Sequence, residues 1–508
     1  MMETTFTLPF LERGEELQAL ADFYTRGWHR GAGFLLLYGR KGVGKTRLLQ
    51  QFLQEQAITD VFYWQAPPGD VTAQLRDFSQ ALLHYDPDRG DPPSPDFSFF
   101  NWRATLDHLA QIAERSEVTK LFVLEGFTVL CHQSGGLSSY FQHAWDHRLQ
   151  NILNLRLILT GSHISTMIRE VLAYSAPLYF RANANLHLGP LRYTALLDLL
   201  PDRTAEERLA IYAMTGGIPA YLTYFAQTPD LLTAIENLCF APDSPFLSDM
   251  ETLFDERLEE PALCRAILTA VADSHGEPGK LSRRLGRPYD DLQQHLYFLR
   301  LVKLLDDQRS VHDPIASLRV RHVLAEPSLY FYYQHLQPAL GKQSPKETAA
   351  AAYASVHESL GRQPFVALCR EWVWAAIVTK QLDLLPRRVG AYWDEERGQT
   401  PEFTLAAADP WQKHLLVGEP CWENGRLTTA DLERLVHDSQ QLPQIQEEGW
   451  IVEQIIFGRW PFTENIYQAA TTMGVHLVTL SEIEPLLLTA RAQRRWERDN
   501  PSPIEMEF

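Results

Sequence analysis

Short apolar runs alternate with helix-period segments along the first part of this chain. Residues 34–38, 60–64, 120–124 and 155–160 read as strands, and the stretch after the first carries Leu48, Leu49 and Phe52 at helical spacing. Strands and helices in alternation mark a parallel α/β sheet. Residues 67–69 and the Pro-, Asp- and Ser-rich run 86–98 read as surface loops. From Leu191 to Asp306 the pattern turns helical, with three successive helices expected at 262–272, 280–285 and 289–304 and a turn at 306–310. Three helices followed by a hairpin-like turn predict a winged helix. The polar, alanine-rich stretch 342–354 reads as a linker. Strand signal then returns at 403–407, 414–417 and 475–480, with helical pieces at 356–382 and 429–438, so a second α/β domain is expected. The tail 494–508, with mixed charges and two prolines, reads as loosely held.

Composition changes this picture little, with 45% hydrophobic and 22% charged residues in 508. Charge changes it more. A net charge of −18 repels polyanions at long range, which favours protein partners over bulk nucleic-acid binding. The five cysteines (Cys131, Cys239, Cys264, Cys369, Cys421) form no CxxC pair, so neither a disulfide framework nor a zinc site is expected and a reducing cytoplasm fits best. The first residues lack a basic-then-apolar leader, and no apolar run approaches the ~18–20 residues of a membrane helix. A cytoplasmic protein without a membrane partner is expected.

The candidate chemistry begins where the first apolar run ends, in Gly39-Arg40-Lys41-Gly42-Val43-Gly44-Lys45-Thr46. This is GxxxxGKT, set between a strand and an amphipathic helix as a phosphate-binding P-loop requires. Gly39, Gly42 and Gly44 let backbone N–H groups turn inward around phosphates, Lys45 reaches the β/γ-phosphates, and the Thr46 hydroxyl can hold Mg2+. The expected ligand is a nucleoside triphosphate, ATP or its product ADP.

A P-loop ATPase also needs a strand ending in a carboxylate that orients the metal's water shell, followed by an acid that polarises the attacking water. The sequence offers Leu121-Phe122-Val123-Leu124-Glu125-Gly126. If Glu125 takes the metal position, the catalytic position is Gly126; if Glu125 is the catalytic base, the metal position is Leu124. Either register loses one carboxylate, and losing a positioned base commonly costs 10²–10⁴ in rate. Slow or absent hydrolysis is expected. The next strand ends in Thr160-Gly161-Ser162, where Thr160 or Ser162 could sense the γ-phosphate, and Arg181 is a candidate arginine finger or sensor.

Five motifs now stand in order: Phe10-Leu11-Glu12-Arg13-Gly14-Glu15-Glu16-Leu17, the P-loop, 157–162, 175–181 and Thr215-Gly216-Gly217-Ile218-Pro219-Ala220-Tyr221-Leu222. In these the chain resembles the archaeal-type ATPase family, an AAA+/STAND-related group of archaea and bacteria. The resemblance implies an AAA+-like ATPase core (1–190), a helical lid (191–245) and a winged helix (246–340). It carries Lys45 and Thr46 over as nucleotide and Mg2+ contacts and Arg13 as a contact near the nucleotide. The family's usual Asp-Glu strand ending aligns with Glu125-Gly126, which weakens catalysis rather than binding.

Residues 341–493 are similar in turn to a PD-(D/E)XK nuclease-like domain, through 388–393, 402–404 and 415–422. An active nuclease holds Mg2+ with two carboxylates and orients water with a lysine. Thr404 stands where the metal-binding Asp belongs and Cys421 where the lysine belongs, leaving Glu419 and neighbouring Glu402. A restriction-endonuclease-like fold that has lost its chemistry is therefore implied. In the winged helix, Asp290 and Asp291 open the recognition helix and only Arg283, Arg284 and Arg287 precede it, so packing or protein contact is favoured over DNA reading. The whole reads as an ATP-binding switch or scaffold with weak or absent hydrolysis, self-associating or holding a protein partner. The alternative is an active oligomeric ATPase acting on DNA, in a mobile-element or defence setting, with Arg181 serving a neighbour's nucleotide.

Overall fold

The computed structural model describes residues 8–26, 31–67, 69–86, 88, 93–241, 244–253, 260–273, 276–314, 317–394, 401–423 and 427–499. The chain forms two five-stranded sheets, one early and one late in the sequence, with mainly helical residues between them in chain order. The first holds β1 (Gly33–Tyr38), β2 (Val61–Gln65), β3 (Lys120–Glu125), β4 (Leu155–Gly161) and β5 (Ala184–His187) in the order β2-β3-β4-β1-β5, every pair parallel. The four expected strands are present. β5 is a short edge strand, Ala-Asn-Leu-His, too polar to read as buried.

Side chains alternate across this sheet because successive strand residues face opposite ways. Phe34, Leu36, Phe122, Leu124, Leu157 and Leu159 enter one apolar cluster. Leu35, Leu37, Val123 and Ile158 enter another, with Leu48, Leu49 and Phe52 of the helix Lys45–Glu55. The carboxyl ends of β1, β3 and β4 thereby open onto one crevice, where open α/β sheets bind their ligands. The loop 67–69 and the run 86–98 fall partly outside the described residues.

The central helices include Ala205–Thr215, Pro219–Gln227, Pro261–Ala272, Pro278–Leu285 and Tyr289–Leu301. The stretch expected as a turn at 306–310 instead opens with a strand: β6 (Leu305–Gln308) pairs antiparallel with β7 (Arg321–Leu324). Its two aspartates suggested a turn, but Asp307 is held by Arg300 and His322 at 2.9 and 2.8 Å. The expected linker at 342–354 is also overturned. A capping box of Ser344 and Glu347 starts the helix Pro345–Ser359, which buries Ala349, Ala352 and Val356. Alanine-rich polarity here is a close-packed helix face, not a loop.

The second sheet holds β8 (Val389–Tyr392), β9 (Phe403–Asp409), β10 (His414–Cys421), β11 (Ile451–Gly458) and β12 (Val475–Thr479), ordered β12-β11-β10-β9-β8. β10, β11 and β12 run parallel, and β8, β9 and β10 are antiparallel. One face (Ala406, Leu415, Val417, Ile456) packs under the helix Thr429–Gln440. The other (Leu405, Leu416, Ile455, Phe457) joins the helices Pro364–Val378 and Leu480–Asp499 in a core that continues into the central helices. Apolar packing thus runs across residues 340–341. Ion pairs add to it: Arg208–Glu484 at 2.7 Å, Arg491–Asp198 at 2.8 Å, and Arg459–Glu206. The helix Leu480–Asp499 also takes in the start of the expected loose tail, and residues 500–508 lie outside the described residues. Among the described residues no helix is long and apolar enough to cross a membrane.

Candidate functional site

The P-loop joins β1 to the helix Lys45–Glu55, and two of its glycines do steric work. Gly44 caps that helix at φ 98°, a conformation that side chains disfavour. Gly42 has φ 82°, and a Cβ there would lie 2.8 Å from the Ala220 Cβ. The close approach lets Ala220 N donate to Gly42 O at 3.2 Å, so the start of the helix Pro219–Gln227 rests on the loop. Lys45 is buried. Its Nζ donates to Gly39 O and Arg40 O at 2.8 and 3.0 Å, and burial brings its pKa down to about 8 despite the opposing charge of Glu125.

Glu125 ends β3 with both carboxylate oxygens engaged. Thr46 Oγ1 donates to one and the Tyr63 hydroxyl to the other. Burial, with the Glu125 hydrogen bond and charge, holds the Tyr63 phenol far above its ordinary pKa, so it stays a donor. Gly126 follows at φ 83°, its Cβ position 3.2 Å from the Ala66 Cβ. Thr160, wholly buried, accepts from Gly126 N at 3.3 Å and ties the ends of β3 and β4 together. Ser162 instead lines a small cavity with Arg40 and Lys41. Arg13, at φ 66°, donates to Val43 O at 3.3 Å and Gly189 O at 2.6 Å, bracing the loop from behind.

Gly39, Gly42, Gly44, Lys45, Thr46 and Glu125 thus lie at one crevice, with Thr160 tying the strand ends beneath it, while Arg13 braces the loop from behind and Ser162 faces the neighbouring cavity. Arg181 does not join them. It precedes β5 at the opposite end of the sheet and forms a two-toothed pair with Asp146 at 2.9 and 3.1 Å. The six residues of β1 put that end roughly 20 Å from the loop. As a finger for its own chain's nucleotide it is misplaced.

Sequence reading missed three features. Tyr63 sits in β2 as one more aromatic, and only the β2–β3 pairing brings it to Glu125. The buried Arg40 guanidinium pairs with Glu326, and Lys41 with Asp249 at 3.5 Å. These acids lie more than two hundred residues away in the chain, so no local signal marks them.

The second sheet contrasts. Thr404 donates to Glu419 at 3.3 Å, and burial pushes the Glu419 carboxyl up to about 7. Burial pushes Cys421 up to about 11, leaving an un-ionised thiol. Glu402 is held by Arg321 at 2.8 Å. Among the described residues no group of three His, Cys, Asp or Glu could hold a metal ion.

In the three-helix region most basic residues are paired within the chain: Lys280 with Glu277 at 2.8 Å, Arg287 with Glu260 at 3.0 Å, Arg284 with Asp273 at 3.6 Å and Arg300 with Asp307 at 2.9 Å. The connection between β6 and β7 docks on the second sheet, where Val311 N donates to Ala391 O at 2.9 Å and Trp393 N to Ser310 Oγ at 3.0 Å.

Residues 10–225 match a family described as an ATPase domain predominantly from Archaea. The chain is 25% identical over 430 residues to an uncharacterized protein of Methanocaldococcus jannaschii, covering 84% of this chain and 90% of that protein. Among solved structures it is similar to the Walker-type ATPase of Pyrococcus abyssi (TM-score 0.47, 17% identity, 64% of this chain and 96% of that one). It is also similar to the ORC2 protein of Aeropyrum pernix (TM-score 0.38, 15% identity, 70% and 97%). The family match and the parallel sheet make the first part of the chain an archaeal-type P-loop ATPase domain.

Proposed function

We propose that this chain is an ATP-binding switch or scaffold that turns nucleotide over slowly or not at all. One observation carries the reading: Thr46 and Glu125 lie in hydrogen-bond contact, and the residue after Glu125 is Gly126. The contact favours the register in which Glu125 serves the metal position. The hydroxyl and carboxylate are hard oxygen donors of the kind Mg2+ takes, and would hold it together. When bound, that ion supplies positive charge to the β/γ-phosphates. Lys45, buried and readily protonated near neutral pH, serves the same phosphates. What the crevice lacks is a side chain at Gly126 to polarise water.

The surroundings support a scaffold. The three helices with β6 and β7 read as a winged helix used for packing, since the connection that would form the wing is occupied by the second sheet and most of the basic residues are neutralised. We read residues 341–493 as a nuclease-like fold without its metal centre, serving partner binding: Thr404 brings no negative charge where a carboxylate is needed, Cys421 is a soft, un-ionised thiol and Glu402 is committed to Arg321.

Self-association is a second reading, favoured by the loop that carries Arg181. There Tyr174 and Phe180 stand 88% and 87% exposed, an apolar patch of the kind that marks protein contact. Arg181 would then serve a neighbouring chain.

Calorimetric titration with ATP and ADP in the presence of magnesium tests the main reading. The wild type is expected to bind both, and Lys45→Ala to bind neither. Equal binding by Lys45→Ala would place the nucleotide elsewhere.

A further inference from the structure

A groove of about 1530 Å³ lies between the ATPase domain and two helices packed on the second sheet. One wall is the helix Gly14–Thr25 with the end of the helix Lys45–Glu55. The other is formed by the helices Pro364–Val378 and Leu480–Asp499. The space exceeds the roughly 300–1,000 Å³ of small-molecule pockets. Taking a helix as a cylinder about 10 Å across with a 5.4 Å pitch, each turn fills about 400 Å³ and about three turns fit.

The two walls differ in kind. Glu12, Glu15, Glu16 and Glu55 stand on the ATPase side. Facing them are Trp374, Ala375, Leu487, Leu488 and Ala490, with Trp374 36% and Leu488 37% exposed. Glu371 and Asp198 bring the lining acids to six, against Arg13, Arg192 and Arg491. These arginines are already engaged. Arg13 pairs with Glu16 at 2.9 Å and Arg491 with Asp198 at 2.8 Å. Arg192 approaches Glu15 at 3.8 Å where both are exposed, a pair worth little. Glu55 accepts a neutral hydrogen bond from Gln51 at 2.8 Å. The lining therefore keeps a negative surplus, on a chain of net charge −18.

An acidic wall facing an apolar one selects its occupant. Nucleic acid and anionic bilayers are repelled by the acids. A helix with one apolar face and one face rich in Lys or Arg satisfies both walls at once, leucine-like side chains on Trp374 and Leu488 and cations on Glu15 and Glu55.

We propose that this groove docks a basic amphipathic helix of a partner protein. The inference rests on the scaffold reading above and adds to it the docking surface and the chemistry of the partner. Arg13 lines the groove and also donates to Val43 O and Gly189 O, so a helix seated there meets the residue that braces the P-loop.

The probe is a labelled peptide of about three helical turns, with leucine at helical spacing and lysine elsewhere. Its counterpart carries glutamate in place of lysine. Fluorescence anisotropy on the full chain follows binding. The wild type is expected to bind the lysine peptide with a Kd of about 10 μM and the glutamate peptide not at all. Glu15→Lys with Glu55→Lys should weaken the lysine peptide about tenfold or more, and Leu488→Gln about fivefold. Glu117→Lys with Glu433→Lys changes the net charge equally at exposed acids outside the groove, and should leave affinity within about twofold. Unchanged affinity in the groove pair overturns the proposal, as does an equal loss in the remote pair, or a wild type that binds neither peptide. A dimer in sedimentation that Leu488→Gln dissociates would give the groove to a second copy and overturn the choice of partner. ATP titration of the same wild-type preparation keeps the two readings apart: absent ATP binding would refute the P-loop site and leave the peptide result standing.

Discussion

The two sheets of this protein place an acid at the end of a strand in opposite circumstances. Glu125 ends β3 with a hydroxyl on each oxygen, from Thr46 and Tyr63, and a buried lysine nearby. Glu419, in β10, is met by Thr404, whose hydroxyl lies at 3.3 Å, and burial pushes it up to about 7. The first acid is surrounded by donors that suit an anion and a hard cation. The second is driven toward its neutral form by burial, against the pull of Thr404 and Arg434. A carboxylate at a strand end is thus no evidence of chemistry on its own; the donors that converge on it decide.

The largest expected effect probes what holds the first site in shape. Glu326→Ala leaves the Arg40 guanidinium buried without its partner, and should destabilise the protein by about 3–5 kcal/mol in urea denaturation. Replacing Arg40 and Glu326 together with apolar residues should recover most of that loss. A single variant as stable as the wild type would show that the two modules are not joined through this pair.

The second prediction concerns the other sheet. In the unfolded chain Glu419 titrates near its ordinary 4.5, and in the folded protein near 7. The unfolded state therefore releases this proton first as pH rises, and stability falls between about pH 4.5 and 7 before levelling off. Glu419→Gln should flatten that slope and be more stable than the wild type at about pH 8, by about 1–3 kcal/mol. A pH profile identical to the wild type would remove the contrast drawn between the two acids.

The third is smaller and sharpens the first site. Gly126→Glu restores a carboxylate at a residue with φ 83° and Ala66 3.2 Å from the new Cβ. It should cost about 1–2 kcal/mol of stability and raise phosphate release if a missing acid limits the rate. Unchanged release in a folded Gly126→Glu protein would count against that explanation.

Much of the first site was legible because its residues are close in the chain or end adjacent strands. The P-loop declares itself through glycine spacing, and Glu125 and Thr160 follow from apolar runs that stop at polar residues. Arg181 could not be placed this way: its position after an apolar motif says nothing about which end of the sheet it occupies. Tyr63, Glu326 and Asp249 reach the crevice only through long-range pairing, which hydrophobic patterning cannot show. In the second sheet, β9, β10 and β12 carried enough apolar residues to be read, whereas β11 opens with the polar-rich Ile-Val-Glu-Gln and escaped. The helix Pro345–Ser359 was misread because alanine packs helices together without raising hydrophobicity much.

The central claim is nucleotide binding without a complete hydrolytic centre. Its most direct test is phosphate release by the wild type at saturating ATP and magnesium, followed for hours beside Lys45→Ala. The account predicts release close to that of the variant, in a preparation that binds ATP. Steady release that vanishes in Lys45→Ala would contradict it, and would mean that Glu125 suffices for turnover.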